Sequence, residues 1–338
     1  MAHEIETHDN VVLHKQAAWH GLGTVVENAP TPREALKIAG LDWAVEQWPL
    51  SATNGEGKRL AIPDQVMNVR SDIDLPLGVV TTSYSPIQNS ELADFCELLA
   101  EQGDIVTVES AGSIRNGEKV WFLLKGESFS VRRNDEISPY ILVSNGHNGH
   151  VSLRCTPTTV RVVCSNTLHM VIPRVEGGRF KSAQPACFVG NHIGSVTEKL
   201  EAAKQALGLY GRAMEATRDM IDRAAAKDVK RDDVQRFFLE CYTRDFGPIA
   251  DNPKNAAEEK ARGKAQEAWI AVERRFEAER HLAGNTAWNA FNAYTGWSQN
   301  DRNYWKDASK EAERRLQSKL FGADSERAVE SLMLAMAL

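Results

Sequence analysis

The stretch that most constrains the fold is residues 137–172, ISPYILVSNGHNGHVSLRCTPTTVRVVCSNTLHMVI. Its strand-forming runs are 140–144, 151–155 and 158–164. Apolar and polar side chains alternate in the second and third runs, which is typical of strands with one buried face. Arg154 and Arg161 fall opposite the apolar residues of their runs. The pattern predicts a sheet that packs on one side and binds a ligand on the other.

The neighbouring segments predict more strands, joined by turns, and then helices. We expect strands at 41–50, 60–70, 77–82, 105–114, 119–125 and 129–133. Short helices are expected to begin at Pro32 and at Asn89 or Ser90, and Asn166 and Thr167 are expected to cap a turn or short helix. The fold class is therefore α+β: a curved antiparallel β-meander with flanking helices, followed by a mostly α-helical C-terminal half.

The periodicity changes at Val196, where apolar residues begin to recur at spacings of four and three. This pattern predicts one long helix over 196–222. A linker is expected near 247–255, which contains two prolines, and further helices follow to the C-terminus. We therefore divide the chain into an α+β core domain, 1–195, and a helical region, 196–338.

Composition indicates a globular protein without a membrane span. Hydrophobic residues make up 42% of the 338 positions and charged residues 25%, which is ordinary for a soluble domain. No apolar run approaches the roughly 18 residues of a spanning helix, and the acidic, polar N-terminus does not resemble a signal peptide. The five cysteines have no paired spacing, which favours reduced thiols and a cytoplasmic setting.

Positive charge is concentrated in the middle of the chain. Residues 1–129 contain 9 Lys/Arg against 19 Asp/Glu, whereas residues 130–182 contain 7 against 3. Basic side chains neutralise phosphates, so we predict a nucleic-acid-binding site formed by Arg132, Arg133, Arg154, Arg161, Arg174, Arg179 and Lys181. An ordinary solvated surface with a local charge bias is the alternative.

The motifs of common enzyme chemistry are missing from the sequence. No glycine-rich run ends in Gly-Lys-Ser/Thr, so no P-loop is predicted. Five residues could ligate zinc if they met, but their spacing matches no compact zinc module: His147, His150, Cys155, Cys164 and His169. Cys164 near His169 could be a nucleophile, although its strand face favours a buried, structural thiol. We predict no catalytic residue, metal site or cofactor, and no enzyme.

Several motifs resemble the phage/plasmid-like protein family of unknown function. They are YSPIQN at 84–89, AGS at 111–113, GEKVW at 117–121, RVVCSNTL at 161–168, NH at 191–192, NTAW at 285–288 and LFG at 320–322. The resemblance covers nearly the whole chain and implies a mobile genetic element in a bacterial host. The order of elements is also distantly similar to that of Rad52-like single-strand annealing proteins, which form rings.

Three functions remain open. The first is non-enzymatic binding or annealing of single-stranded DNA in recombination or replication, in which Asn145 and His147 could contact bases or sugars and Trp121 or Tyr140 could stack on bases. The second is an interaction or assembly protein, a homo-oligomer that docks through its helical C-terminal half. The third is an enzyme whose catalytic residues are scattered along the sequence.

Overall fold

The structure is a computed structural model that describes residues 8–15, 23–102, 105–132, 135–150, 152–161, 166–176, 179–190, 196–302 and 323–338. The chain divides into two units, each assembled from separate stretches. The first unit comprises Met1–Glu127, Tyr140–Thr156 and Cys187–Leu209, and the second comprises Ser128–Pro139, Pro157–Ala186 and Tyr210–Leu338. The sequence-based boundary between residues 195 and 196 stays a prediction.

The strands, in chain order, are β1 Val11–His14, β2 Thr24–Val26, β3 Val45–Thr53, β4 Arg59–Arg70, β5 Leu75–Thr81, β6 Ile105–Ile114, β7 Lys119–Gly126, β8 Phe129–Val131, β9 Asp135–Gly146, β10 Leu153–Arg161, β11 Asn166–His169, β12 Val171–Glu176, β13 Arg179–Pro185 and β14 Phe188–Gly190. The α-helices are α1 Pro32–Ile38, α2 Asn89–Gln102, α3 Val196–Ala226, α4 Arg231–Phe246, α5 Ala256–Ala283, α6 Ala287–Gly296 and α7 Ala323–Ala337. A 3-10 turn spans Arg115–Gly117 and a π-helical turn spans Trp297–Asp301.

The described strands form three sheets. The largest has the order β11-β10-β9-β7-β6-β1-β2, with β14 paired to β10 and β8 paired to β9. Strands β6, β7 and β9 pair antiparallel, as do β10 and β11, whereas β1 and β2 pair parallel. Strands β3-β4-β5 form a second sheet and β12-β13 a third. Helices dominate the C-terminal half, so the predicted α+β class is confirmed.

Local signals explain the ends of several helices. Thr31 accepts a hydrogen bond from the Glu34 N–H while the Glu34 carboxylate accepts one from the Thr31 N–H, so a capping box precedes Pro32. Such reciprocal capping satisfies two backbone donors at the start of α1. Gly284, with φ of 74°, ends α5, because glycine adopts the left-handed region without steric cost.

Two sequence-based expectations within residues 137–172 are wrong. The runs at 151–155 and 158–164 are not separate strands, because β10 continues through Pro157 from Leu153 to Arg161. Asn166 and Thr167 do not cap a helix, since they begin β11, in which Asn166 lies opposite Arg161. Antiparallel pairing with β10, which ends five residues earlier at Arg161, overrides the capping tendency of Asn and Thr.

The far end of the β3–β4 hairpin extends beyond β5, the third strand of its sheet. Strand β5 pairs with β4 only from Gln65 onward, and four residues of β4 bulge opposite Leu50, since Pro49 pairs with Val66 and Ser51 with Ala61. Residues 52–65 are all exposed. This distal arm is therefore a two-stranded ribbon that contacts solvent on both faces.

The second unit has an aromatic core formed mainly by α4, α5, α6 and α7. Phe237 and Phe238 of α4 are buried against Tyr294 of α6, with ring centroids 6.0 and 6.4 Å apart. The buried face of α4 also includes Val234 and Cys241, which recur with the two phenylalanines at helical spacing. Burial of each such side chain contributes about 1.5–3 kcal/mol to stability.

Candidate nucleic-acid interface

Most of the predicted basic residues belong to one unit. Arg154 lies in the first unit. The second unit contains Arg132, Arg161, Arg174, Arg179 and Lys181. Arg133 lies outside the described residues. An interface formed by several of the predicted basic residues would therefore lie in the second unit.

Arg132 occupies the tight turn between β8 and β9. Its backbone has φ of 40°, and its carbonyl oxygen accepts a 3.2 Å hydrogen bond from the Asp135 N–H. Its side chain is exposed, and a Cβ placed on Gly284 would lie 3.2 Å from Nη1 of Arg132. The guanidinium group therefore lies against the end of α5, where solvent and ligands can reach it.

A second arginine, from α3, lies over an aromatic ring of strand β8. The guanidinium carbon of Arg218, an exposed residue of α3, is 5.1 Å from the ring centroid of Phe129, a cation–π distance. The sequence analysis did not identify this pair. Phe129 and Arg218 are far apart in sequence, and neither has a local pattern that indicates the other.

The remaining basic positions of the second unit are on paired strands. Arg174 lies opposite Ser182 and Glu176 lies opposite Arg179 in the β12–β13 hairpin. Lys181 is the extra residue at the bulge, where the register shifts between Arg174 and Val175. This hairpin therefore has three basic positions and one acidic position, and Arg161 adds a fourth basic position on β10, opposite Asn166.

Arg154 has the environment that alternation predicts. It is exposed, while its neighbours Leu153 and Cys155 are buried. Its partner across the β10–β14 pairing is Val189, which is 51% exposed. Within the first unit, this part of β10 has one buried and one solvent-facing side.

The turn residues proposed to contact bases are buried instead. The Asn145 amide donates a 3.4 Å hydrogen bond to the Ile87 carbonyl oxygen, and Nε2 of His147 lies 2.9 Å from Oδ1 of Asn89. Desolvation by burial lowers the pKa of His147 to about 4, so its ring is neutral near pH 7. The expectation that these two side chains contact bases is wrong, because both belong to the core of the first unit.

The two aromatic residues considered for base stacking are also buried. Trp121 and Tyr140 are 5% and 7% exposed. They pack in the first unit on the adjacent strands β7 and β9. Neither ring has a face that a base could cover.

Two cysteines were considered from the sequence, Cys155 as a possible zinc ligand and Cys164 as a possible nucleophile. Cys155 is buried, and desolvation, followed by the neighbouring Cys187, raises the pKa of its thiol. Cys164 lies outside the described residues. Among the residues that the structure describes, no group of three or more His, Cys, Asp or Glu side chains is arranged to hold a metal ion.

A cleft in the second unit combines aromatic and basic side chains. Its volume is about 760 Å³, within the range of small-molecule sites. Helix α4 contributes Tyr242 and Phe246, and α5 contributes Lys260 and Lys264. The full lining is Tyr242, Phe246, Gly247, Pro248, Ile249, Ala257, Lys260, Ala261, Lys264, Glu267, Ala268, Trp297, Asp301 and Arg302.

An ion pair fixes one wall of the cleft. Nε and Nη2 of Arg275 donate hydrogen bonds of 2.6 and 2.7 Å to the two oxygens of Asp301. Asp301 ends the π-helical turn that begins at Trp297, so the pair ties this turn to α5. The Arg302 guanidinium carbon lies 3.6 Å from the ring centroid of Phe246. The two charge-assisted hydrogen bonds between Arg275 and Asp301 fix the geometry of this wall as well as adding energy.

The comparisons with known proteins identify a family. A family model described as Domain of unknown function (DUF932) matches residues 76–320. The chain belongs to the DUF932 family. The DUF932 match begins within β5 and includes the whole cleft, the β12–β13 hairpin and all seven predicted basic residues.

The other comparisons give no relative. No curated protein and no solved structure matches the chain. No α-helix among the described residues is long and apolar enough to span a bilayer. The DUF932 assignment therefore supplies a family without an activity, and function has to be argued from the residues.

Proposed function

We propose that this DUF932 protein binds single-stranded nucleic acid, without catalysing a reaction, through its second unit. The observation that supports the proposal is that five of the predicted basic positions belong to this unit: three lie on the β12–β13 hairpin, Arg161 on β10 and Arg132 at the β8–β9 turn. Basic strands follow the phosphate backbone of a single strand through electrostatic contacts that do not depend on base sequence.

The Arg218–Phe129 pair supports the same function. Single-strand binding combines cationic groups with aromatic surfaces, because every base offers a π face. Arg218 is exposed and lies over a half-buried aromatic ring beside β8. Arg132 directly follows the same strand, so charged and aromatic side chains occur on β8 and at the turn that follows it.

The biological setting belongs to the same proposal. The motif resemblance to phage/plasmid-like proteins favours a mobile genetic element, acting in recombination or replication in the cytoplasm of a bacterial host. The element order resembling Rad52-like annealing proteins favours a homo-oligomer that holds single-stranded DNA. These assignments depend on the resemblance and not on a site geometry.

Fluorescence anisotropy with a labelled single-stranded oligonucleotide tests the proposal. We expect binding at low salt that weakens steeply as salt rises, with a log–log slope of about −0.7 per phosphate neutralised. The double variant Arg174→Glu/Arg179→Glu should lose most of the affinity. The matched variant Lys58→Glu/Arg59→Glu makes the same charge change on the distal arm of the first unit and should bind like the wild type. Lack of binding at low salt would overturn the proposal.

Assembly through the helical half is the second candidate, favoured by two exposed apolar side chains. Leu239 of α4 is 44% exposed and Ile270 of α5 is 55% exposed. Their helices are adjacent, since Phe238 and Trp269 lie 5.4 Å apart. Light scattering distinguishes this candidate: an oligomer that Leu239→Glu/Ile270→Glu dissociates would support it, and a monomeric wild type would exclude it.

A further inference from the structure

One side of the β3–β5 sheet exposes a row of apolar side chains. Trp48 of β3 lies opposite Met67 of β4, and Met67 lies opposite Val79 of β5. Directly opposed residues of antiparallel strands share a face, so the three side chains form one row. Trp48 is 43% exposed and Val79 is 49% exposed. Contiguous exposed apolar surface is typical of an interaction site.

The apolar surface continues along the β3–β4 ribbon towards its tip. The Trp48 indole donates a 3.0 Å hydrogen bond to the Glu46 carboxylate, so these two residues lie on the same side of β3. With the strand period of two, Leu50 and Ala52 follow them on that side. Ala52 lies opposite Leu60 of β4, which is 61% exposed. We call this side of the ribbon, with Trp48, Leu50, Ala52 and Leu60, the outer face.

The other side of the ribbon is polar. The Gln47 amide donates hydrogen bonds to Oδ1 of Asn68 and to the Tyr84 carbonyl oxygen. Further out, Nε of Arg59 donates a 2.7 Å hydrogen bond to the Ser51 hydroxyl. A sheet with one solvated side normally buries its apolar side. The distal arm instead exposes its apolar side, and a two-stranded hairpin without a packing partner is only marginally stable in water.

The outer face is complementary to itself. Leu50 lies midway between Trp48 and Ala52, so a two-fold axis at Leu50 places the large ring of one copy opposite the small side chain of the other. Leu50 then meets Leu50 of the second copy. Symmetric dimers use the same patch on both subunits, and side chains interdigitate where two sheets pack face to face. The outer face therefore fits a second copy of this chain.

The charges at the two ends of the outer face follow the same symmetry. The Lys58 carbonyl oxygen accepts a 3.1 Å hydrogen bond from the Asn54 N–H, so Lys58 lies at the tip, level with Asn54. Asn54 is as far beyond Leu50 as Glu46 is before it. Within the described part of the chain, neither Lys58 nor Glu46 forms an ion pair. An antiparallel arrangement places Lys58 of each copy near Glu46 of the other, whereas a parallel one places like charges together.

We propose that the outer face is a contact between two copies of this chain. The two β3–β4 ribbons pack face to face and antiparallel about a two-fold axis at Leu50. From Glu46 to Asn54 the contact is about 27 Å long, at roughly 3.4 Å per residue, and two strands wide. It therefore falls among the small specific interfaces, below about 1,200 Å² in total. The dimer is consequently weak: it forms as the protein concentration rises and dissociates in dilute solution.

Sedimentation equilibrium over a concentration series from micromolar to millimolar tests the proposal. The wild type should show a monomer–dimer equilibrium, and Leu60→Glu should abolish the dimer. Ala61→Glu is the matched control, because Ala61 is also exposed but lies opposite Ser51 on the polar side. This variant should dimerise like the wild type. Circular dichroism checks that both variants are folded. A wild type that is monomeric at millimolar concentration would overturn the proposal, as would equal effects of the two substitutions.

Exchange of the two charges tests the antiparallel arrangement. Lys58→Glu and Glu46→Lys each place like charges together at both ends of the contact, so each should weaken dimerisation about tenfold or more. The double variant Lys58→Glu/Glu46→Lys restores opposite charges and should recover most of the affinity. Arg59→Glu makes the same charge change on the polar side and should leave the dimer intact. A double variant as weak as the single ones would refute the antiparallel contact.

This contact is independent of the proposed function. Leu239→Glu/Ile270→Glu, the variant that tests assembly through the helical half, should leave the dimer intact, and its dissociation by that variant would show that the outer face is not the contact. Oligonucleotide binding measured in dilute solution, where the chain is monomeric, should be the same for Leu60→Glu and the wild type. A dimer without oligonucleotide binding would leave this contact standing and overturn the proposed function, and oligonucleotide binding by a strict monomer would do the reverse.

Discussion

The indole Nε1 of Trp288 donates a 2.8 Å hydrogen bond to Oδ2 of Asp135, a residue 153 positions earlier in the chain. Both side chains are buried in the second unit. The bond joins the start of α6 to the start of β9. It gives one oxygen of the buried Asp135 carboxylate a hydrogen-bond donor where water does not reach it. It is therefore a structural link and not a functional site.

Removing the Trp288 donor should destabilise the protein. Trp288→Phe keeps an aromatic ring but deletes the N–H group, and loss of a hydrogen bond to a buried charged group costs about 1.5–3 kcal/mol. Urea denaturation followed by circular dichroism measures the change. Trp48→Phe, at a tryptophan that is 43% exposed, is the control and should change stability by less than about 0.5 kcal/mol. Equal effects of the two substitutions would contradict a structural role for the bond.

Burial of His147 makes stability depend on pH. Its pKa in the folded protein is about 4, below the value of about 6.5 in an unfolded chain. The unfolded state therefore takes up the proton first as the pH falls, and the folded state loses stability between about pH 6.5 and pH 4. The loss from this one group should approach about 3 kcal/mol.

Unfolding free energies of the wild type and His147→Gln at pH 7 and pH 4.5 measure this contribution. The variant should show a smaller loss on acidification, although it is less stable at pH 7 because a packed ring is gone. His150→Gln, at an exposed position, should behave like the wild type. An unchanged pH dependence in His147→Gln would show that the ring is accessible to protons in the folded state.

Gly296 should not tolerate a side chain. A Cβ there would lie 2.7 Å from Nη1 of Arg275, and that guanidinium cannot move without breaking its pair with Asp301. Gly296→Ala should therefore destabilise the protein by about 1–3 kcal/mol. Gly263→Ala has no atom within 4 Å and should stabilise α5 by about 0.5–1 kcal/mol. Thermal denaturation of both variants tests whether the two changes in stability have opposite signs.

Gly117 combines two constraints in the first unit. Its φ is 99°, and a Cβ would lie 2.6 Å from Cζ2 of the buried Trp43. We expect Gly117→Ala to cost roughly 2–4 kcal/mol, since left-handed backbone strain adds to overpacking. Gly57→Ala, with φ of 82° and open space around it, isolates the backbone contribution and should cost clearly less. The same denaturation experiment compares them, and similar losses would mean that Trp43 shifts freely.

Sequence patterns predicted elements whose signals are local. Pro32 at the start of α1, the apolar spacing in α4 and the turn residues between β3 and β4 each act within a few positions. Strand β11 was missed because Asn166 and Thr167 have a strong capping tendency and only the pairing with β10 makes them a strand. The pairing strand lies outside the segment 166–169, so that segment alone does not predict the strand.

The cleft could not be predicted for the same reason. Tyr242, Lys260 and Trp297 come from three separate parts of the chain. Arg274 and Arg275 sit among acidic residues, a pattern that favours a solvated helix face, and Arg274 is indeed exposed. Arg275 instead holds Asp301, and no local signal distinguishes the two arginines. These adjacent residues of α5 differ by about 100° around the helix axis, and that difference separates a solvated role from a structural one.

The distal arm of the β3–β4 hairpin has a practical use. Its tip, at Asn54 to Lys58, is exposed, and β5 pairs with β4 only from Gln65 onward. Extra residues in an exposed turn add little loop-closure entropy. A fluorophore or affinity tag placed between Gly55 and Glu56 would therefore report on the protein, or immobilise it, through a position that contains none of the proposed binding residues.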